Sequence, residues 1–242
     1  MYIALNDNNE RIDIDHVEAG EKYYCPVCHE PLLIRKGQIK KHHFAHLRDT
    51  ECIDSWKHDM TEWHFSWQEC FPVENREIIM RIGDAIHRTD VFIEGTVIEF
   101  QHSPMSPEEF KERNDFYNSL GHKVVWVFDL IEEYNKGRIK YSEYNGFIDF
   151  EWNTWLVPNR HKGKEKVFKK YDIINDQIEV FLQINDKENE KAMVHVSNNA
   201  KKNWNQYQGW SFTRFPTRRW YSKNNFLSYI KGTLDNQEND WN

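Results

Sequence analysis

Short apolar runs alternate with polar turns along most of the chain, and one helical stripe interrupts that rhythm. Residues 2–5 and 11–14 read as a hairpin closed by Asn6-Asp7-Asn8-Asn9. Trp56, Met60, Trp63, Trp67 and Phe71 follow at spacings of four, three, four and four. That is one face of a helix, capped by Asp54 or Ser55 and stopped by Pro72. Residues 76–82 alternate, with Ile78, Met80 and Ile82 on one face, and predict a strand. A second strand over 86–93 turns at Glu94-Gly95 into a third over 96–101. Ser106-Pro107-Glu108-Glu109 then opens a helix with an N-cap Ser, a Pro at the first position and a Glu at the third. The helix closes near Leu120-Gly121, and 123–129 reads as a buried strand. The order over 55–129 is thus α-β-β-β-α-β. Beyond it, 141–152 and 177–184 predict strands, 186–191 a charged turn, and the last ten residues a frayed end.

This patterning describes an α/β (α+β) protein of three parts: an N-terminal hairpin and Cys/His module over 1–53, a mixed core over 54–135, and a β-rich region over 136–242. Aromatics make up 15 % of the 242 residues, enough for a substantial core, which excludes a disordered chain. No apolar run approaches the roughly 20 residues of a membrane helix, and the first residues lack the basic start of a signal peptide. A cytoplasmic protein without a membrane partner is expected. The net charge of −7 argues against a general nucleic-acid coat. However, residues 201–232 carry seven Lys or Arg and no acid, interleaved with Trp204, Tyr207, Trp210, Phe212, Phe215, Trp220, Tyr221, Phe226 and Tyr229. Such a segment either grips phosphates and unpaired bases or forms a small core with its charges in water.

Cys25, Cys28, Cys52 and Cys70 are too few and too irregular for a disulfide frame in a cytoplasmic chain. Cys25-x2-Cys28 is followed by His43-x2-His46, with Cys52 six residues further on. Zinc takes four N or S ligands, so this spacing predicts a structural Zn²⁺ on Cys25, Cys28, His43 and His46, with Cys52 as the alternative ligand. His42 competes for the same places.

A second constellation is acidic. Glu99 and Gln101 share one face of their strand by its period of two, and the turn at Glu94-Gly95 can bring Asp90 alongside. Two converging carboxylates suit a hard cation, Mg²⁺ or Mn²⁺. Such an ion lowers the pKa of a bound water for attack on a phosphodiester. Solvated acids on an open sheet face are the alternative.

Tyr24-Cys25-Pro26-Val27-Cys28, His43-Phe44-Ala45-His46, Thr61-Glu62-Trp63-His64, Arg88-Thr89-Asp90-Val91, Ile98-Glu99-Phe100-Gln101-His102-Ser103 and Arg113-x3-Tyr117 occur in an order and spacing that resemble the competence protein CoiA-like family. That family is similar to the PD-(D/E)xK superfamily of restriction enzymes and RecB-type nucleases. The resemblance covers roughly 105 residues and implies a restriction-endonuclease-like core, the α-β-β-β-α-β order read above. It implies that Asp90 and Glu99 bind the catalytic metal, that Glu62 assists, and that Gln101 stands where most such nucleases carry a Lys. It also implies that His64, Arg113 and Tyr117 touch substrate, with Arg88, His87 and His102 flanking the site. Gln68 lies one turn after His64, where the family often has Lys.

The reading is a divalent-metal-dependent deoxyribonuclease, a phosphodiester hydrolase acting in DNA uptake, recombination or defence. DNA is placed ahead of RNA on the resemblance alone, and a recombination or defence protein is a second partner class. The rivals are a catalytically weak or inactive module that binds single-stranded DNA, favoured by Gln101, and a zinc-stabilised adaptor for another protein.

Overall fold

The computed structural model describes residues 1–37, 41–47, 52, 61–103, 105, 107–137, 139–142, 147–151, 177–187, 190, 192–196 and 212–232. The chain divides into two compact units, Met1–Glu99 and Phe100–Asn242. Both mix helices and strands, as the α+β patterning predicts.

In the first unit, β1 (Ile3–Leu5) and β2 (Arg11–Asp13) form the expected hairpin, paired Ile3 to Asp13. β3 (Leu32–Arg35) and β4 (His43–His46) form a second hairpin. Tyr24 joins the first hairpin through two hydrogen bonds with Leu5, at 2.8 and 2.9 Å. Tyr2, Ala4, Ile14, Tyr23, Leu32 and Phe44 bury together with Phe65 and Ile86. Phe65 comes from α1 (Glu62–Gln68), whose N-cap is Thr61 in extended conformation, accepting from His64 N. The described helix therefore starts at Glu62; the expected caps Asp54 and Ser55, with Trp56 and Met60, lie outside the described residues. Trp67 and Phe71 of the apolar stripe are buried.

β5 (Ile79–Ile82) and β6 (Ala85–Arg88) pair antiparallel, as do β7 (Val91–Ile93) and β8 (Thr96–Gln101). The expected second strand, 86–93, is thus interrupted at Thr89-Asp90. Opposite the break, Glu77 takes a left-handed backbone conformation (φ 47°). Even so, Glu77 N donates to Asp90 O and Thr89 N to Ile78 O, so the pairing persists through the interruption.

The Glu77 carboxylate is buried and accepts from Tyr2 N at 2.9 Å and Ile3 N at 3.2 Å. Arg76 reinforces the same junction by an ion pair to Asp13 at 2.9 Å. Replacing Glu77 by Ala strands two buried amides and is expected to cost about 3 kcal/mol in urea unfolding.

In the second unit, α2 (Pro107–Ser119) packs on β9 (Lys123–Asp129). Trp126 Nε1 donates to Asn114 Oδ1 at 2.9 Å, and the Phe110 and Trp126 rings lie 5.0 Å apart. The helix ends at Ser119, and Gly121 just beyond it takes a φ of 80°, a conformation that suits glycine. Its expected cap, Ser106, lies outside the described residues. After α3 (Ile131–Asn135) come β10 (Ile139–Ser142), β11 (Phe147–Glu151), β12 (Ile178–Gln183), β13 (Met193–Val196), β14 (Phe212–Tyr221) and α4 (Lys223–Ile230). Strand order in this unit is β10-β11-β14-β13-β12-β9, antiparallel except where β9 and β12 run parallel. The apolar run 124–128 is fully buried, as its continuous pattern requires.

Glu179 on β12 is the polar centre of this unit. It accepts from Lys123 Nζ at 2.5 Å and from Tyr229 Oη at 2.8 Å, which ties α4 to the sheet. Burial alone would raise its carboxyl pKa. The bonds from Lys123 and Tyr229 and the nearby His195 outweigh that and lower it below the ordinary carboxyl value of 4.5. A carboxyl lowered in the folded state contributes stability above its unfolded pKa, and that contribution is lost as pH falls through the folded value. Acid unfolding of the wild type should therefore lose this increment below about pH 4.5, and Glu179→Gln should flatten that part of the profile.

Candidate functional site

The residues with chemistry fall into two groups in the first unit, with further candidates in the second. The first group is built on a tight turn. Cys25 N donates to Glu30 O and His29 N to Cys25 O, both at 2.9 Å, and His29 takes φ 58° to close the knuckle. The β3–β4 hairpin sets His46 opposite Leu32. As a result, Cys28 Sγ lies 3.3 Å from His46 Nε2 and Cys25 Sγ 3.7 Å from Cys52 Sγ. The donor atoms of Cys25, Cys28, His46 and Cys52 all lie within 4.8 Å of one another. Three thiols and one imidazole at that separation are a donor set that could hold a metal such as zinc.

His43, expected as a ligand, stands outside this group, and Cys52 takes its place. The reason is the element. Three residues apart on a strand point to opposite faces, so His43 and His46 cannot both turn inward from β4. His43 Nδ1 instead donates to Lys41 O at 2.9 Å. His42 lies outside the group too.

Burial pushes the Cys25 thiol pKa up, against the Val27 and Cys28 amides that lower it. Burial, with the positive charges of the chain's amino terminus and Arg88, pushes His46 down. His46 is therefore held neutral, as a ligand must be. Arg88, expected near substrate, thus places its charge close to the Cys/His module.

The second group surrounds Asp90. The β7–β8 register pairs Val91 with Ile98, so one further step sets Asp90 across from Glu99. Both are buried. Facing positions of an antiparallel pair bring Cβ atoms to about 5 Å, where two like charges destabilise one another. Gln101 follows Glu99 on the same face of β8, and its Nε2 donates to Ser103 O at 2.6 Å.

From α1, Gln68 Nε2 donates to Asp90 Oδ1 at 3.1 Å. The sequence pattern marked Gln68 only as a neighbour of His64 on the helix face. No local signal ties it to Asp90, 22 positions away. His64 is buried, with Nδ1 3.0 Å from Thr61 Oγ1, while Glu62 is exposed.

Arg113 and Tyr117 belong to the second unit. Both are buried on α2, and Arg113 pairs with Glu109 at 2.6 Å. His102 Nδ1 donates to Asp129 Oδ2 at 2.8 Å, leaving the imidazole half-exposed. In the basic aromatic segment, Tyr221 and Phe226 are buried against Phe181 and so belong to the core. Trp204, Tyr207, Trp210, Lys201 and Lys202 lie outside the described residues. Among the described residues no helix is long and apolar enough to cross a membrane.

The family model for the N-terminal domain of competence protein CoiA matches residues 6–54. That for the CoiA nuclease-like domain matches residues 57–208. No curated protein and no solved structure matches the chain.

Proposed function

The chain belongs to the competence protein CoiA family, and from that premise we propose that it is a divalent-metal-dependent nuclease acting on DNA. The observation that carries this reading is the facing pair Asp90 and Glu99, buried, with an amide from Gln68 on the first carboxylate. Two opposed buried carboxylates offer several oxygens at one place, and these suit Mg²⁺ or Mn²⁺. That ion would supply an activated water and charge stabilisation at the phosphate.

In this reading Asp90 and Glu99 hold the cation, and Glu62 assists from the exposed start of α1. Gln101 carries no charge and exchanges no proton, so its part is to orient water or a phosphate oxygen. The Thr61 contact fixes the His64 ring for a phosphate or metal contact. Arg113 and Tyr117 are proposed, on the family pattern, to contact the substrate backbone, and Arg88 to flank it. Cys25, Cys28, His46 and Cys52 hold a structural Zn²⁺, which leaves no open position for chemistry there. The proposed setting is cytoplasmic DNA uptake, recombination or defence.

A second reading, a binding module for single-stranded DNA without cleavage, is favoured by Gln101, whose amide is already engaged by Ser103. One assay separates the two. Labelled single-stranded DNA, duplex DNA and RNA are incubated with the protein in Mg²⁺, Mn²⁺ or EDTA. Cleavage in either ion and none in EDTA supports the nuclease. Tight binding in EDTA with no cleavage under any ion supports the module.

A further inference from the structure

We propose that Gln68 is a positioning residue for the divalent cation: its amide N–H fixes one oxygen of Asp90, and its carbonyl oxygen accepts a hydrogen bond from a water on that cation. This rests on the metal-site reading of Asp90 and Glu99 and assigns a role to a residue that the nuclease pattern leaves without one.

Gln68 is 1 % exposed, and its Nε2 donates to Asp90 Oδ1 at 3.1 Å. Its Oε1 is buried with no hydrogen-bond partner among the described residues. The opposite amide orientation would set oxygen against carboxylate oxygen, so chemistry fixes which end faces Asp90. One amide thus holds a carboxylate with one hand and leaves the other unsatisfied.

A buried acceptor without a donor lowers stability, and Leu or Met would fill the same helical position without that defect. The missing partner must be a donor, and it must tolerate a carboxylate beside it. Water bound to a hard divalent cation meets both demands. Its lone pair is directed to the metal and both hydrogens point outward. Carboxylates that bind such ions are themselves oriented by hydrogen bonds from the surrounding shell. Gln68 does this for Asp90 and offers an acceptor to the hydration shell of the ion that Asp90 holds.

The test uses the full-length, zinc-loaded chain and Mn²⁺ as the probe. Mn²⁺ binding is followed by electron paramagnetic resonance for the wild type, Asp90→Asn, Gln68→Leu and Gln68→Met. Thermal melting without added Mn²⁺, zinc retained, is recorded beside it, together with the Mn²⁺ dependence of cleavage. The proposal predicts a site that Asp90→Asn removes and that both Gln68 variants weaken about tenfold, with melting in the absence of Mn²⁺ unchanged or raised. A residue that only packed would lower melting and leave affinity alone. Met keeps the experiment decisive if the branched Leu does not fold.

Wild-type affinity in the Gln68 variants would overturn the proposal, as would the absence of any Mn²⁺ site sensitive to Asp90→Asn. Failure of the nuclease reading is seen separately. If Mn²⁺ binds and Gln68 tunes it but no substrate is cut, the positioning role holds and the enzyme assignment falls.

Discussion

Replacing Glu99 by Gln is expected to lower divalent-dependent DNA cleavage by about 10³-fold while leaving the metal-free protein as stable as the wild type or more so. The two effects have one origin. Glu99 lies on β8 and Asp90 immediately before β7, where the Val91–Ile98 register, carried one step further, sets them across from one another; both are buried. Without a divalent ion, like charges at facing positions destabilise one another, and a neutral amide of the same shape is expected to relieve that. With Mn²⁺ present the same repulsion becomes attraction to the ion, and the amide forfeits it. Added Mn²⁺ should raise the melting temperature of the wild type through linkage and barely move that of Glu99→Gln. A variant that lost activity because its strand unfolded would melt lower without added Mn²⁺, the opposite sign. Calorimetry in the two conditions distinguishes these outcomes.

The second large effect is expected at the Cys/His group. Cys25→Ser with Cys28→Ser should remove about one zinc per chain and unfold the N-terminal hairpins, because structural zinc in small modules supplies about 10 kcal/mol of folding free energy. The strands there are three or four residues long, and Cys25 itself belongs to the buried cluster with Tyr2, Phe44 and Phe65. Cys52→Ser should lose the metal as well. His43→Ala should keep it, since His43 donates to Lys41 O from the other face of β4. Metal analysis with far-ultraviolet circular dichroism reads all three.

Affinity should also rise with pH across the neutral range. Burial holds the Cys25 thiol protonated, so zinc must displace that proton, whereas His46, lowered from 6.5, competes only in acid. Zinc-free protein that keeps its hairpins would refute the structural role.

What the sequence discloses follows from how local each signal is. The run Val124-Val125-Trp126-Val127-Phe128 is apolar without interruption and becomes the buried strand β9, Lys123–Asp129. Pro107 and two glutamates announce α2 in the same local way. The metal group was only half legible. Two residues at a spacing of three share a face on a helix and part on a strand, so the choice between His43 and Cys52 depended on the hairpin.

β14 was hidden for a different reason. It carries Pro216, a residue that disfavours a central strand, yet it pairs with both β11 and β13. The pairing with β13 also shifts register between His195, opposite Arg219, and Val196, opposite Thr217, so the extra residue, Arg218, lies on β14. The Gln68–Asp90 contact was beyond any local pattern, because it joins a helix to a strand through tertiary packing alone. Asp90 and Glu99, by contrast, were legible as a pair, because a two-residue turn fixes the register between them.

The most direct test of the metal-site nuclease is a comparison of wild type and Asp90→Asn, matched in zinc content and melting temperature, on labelled single-stranded and duplex DNA in Mn²⁺. Cleavage by the wild type that EDTA stops and Asp90→Asn lacks is the result expected. Equal cleavage by both proteins, or none by the wild type on any strand form, would contradict it.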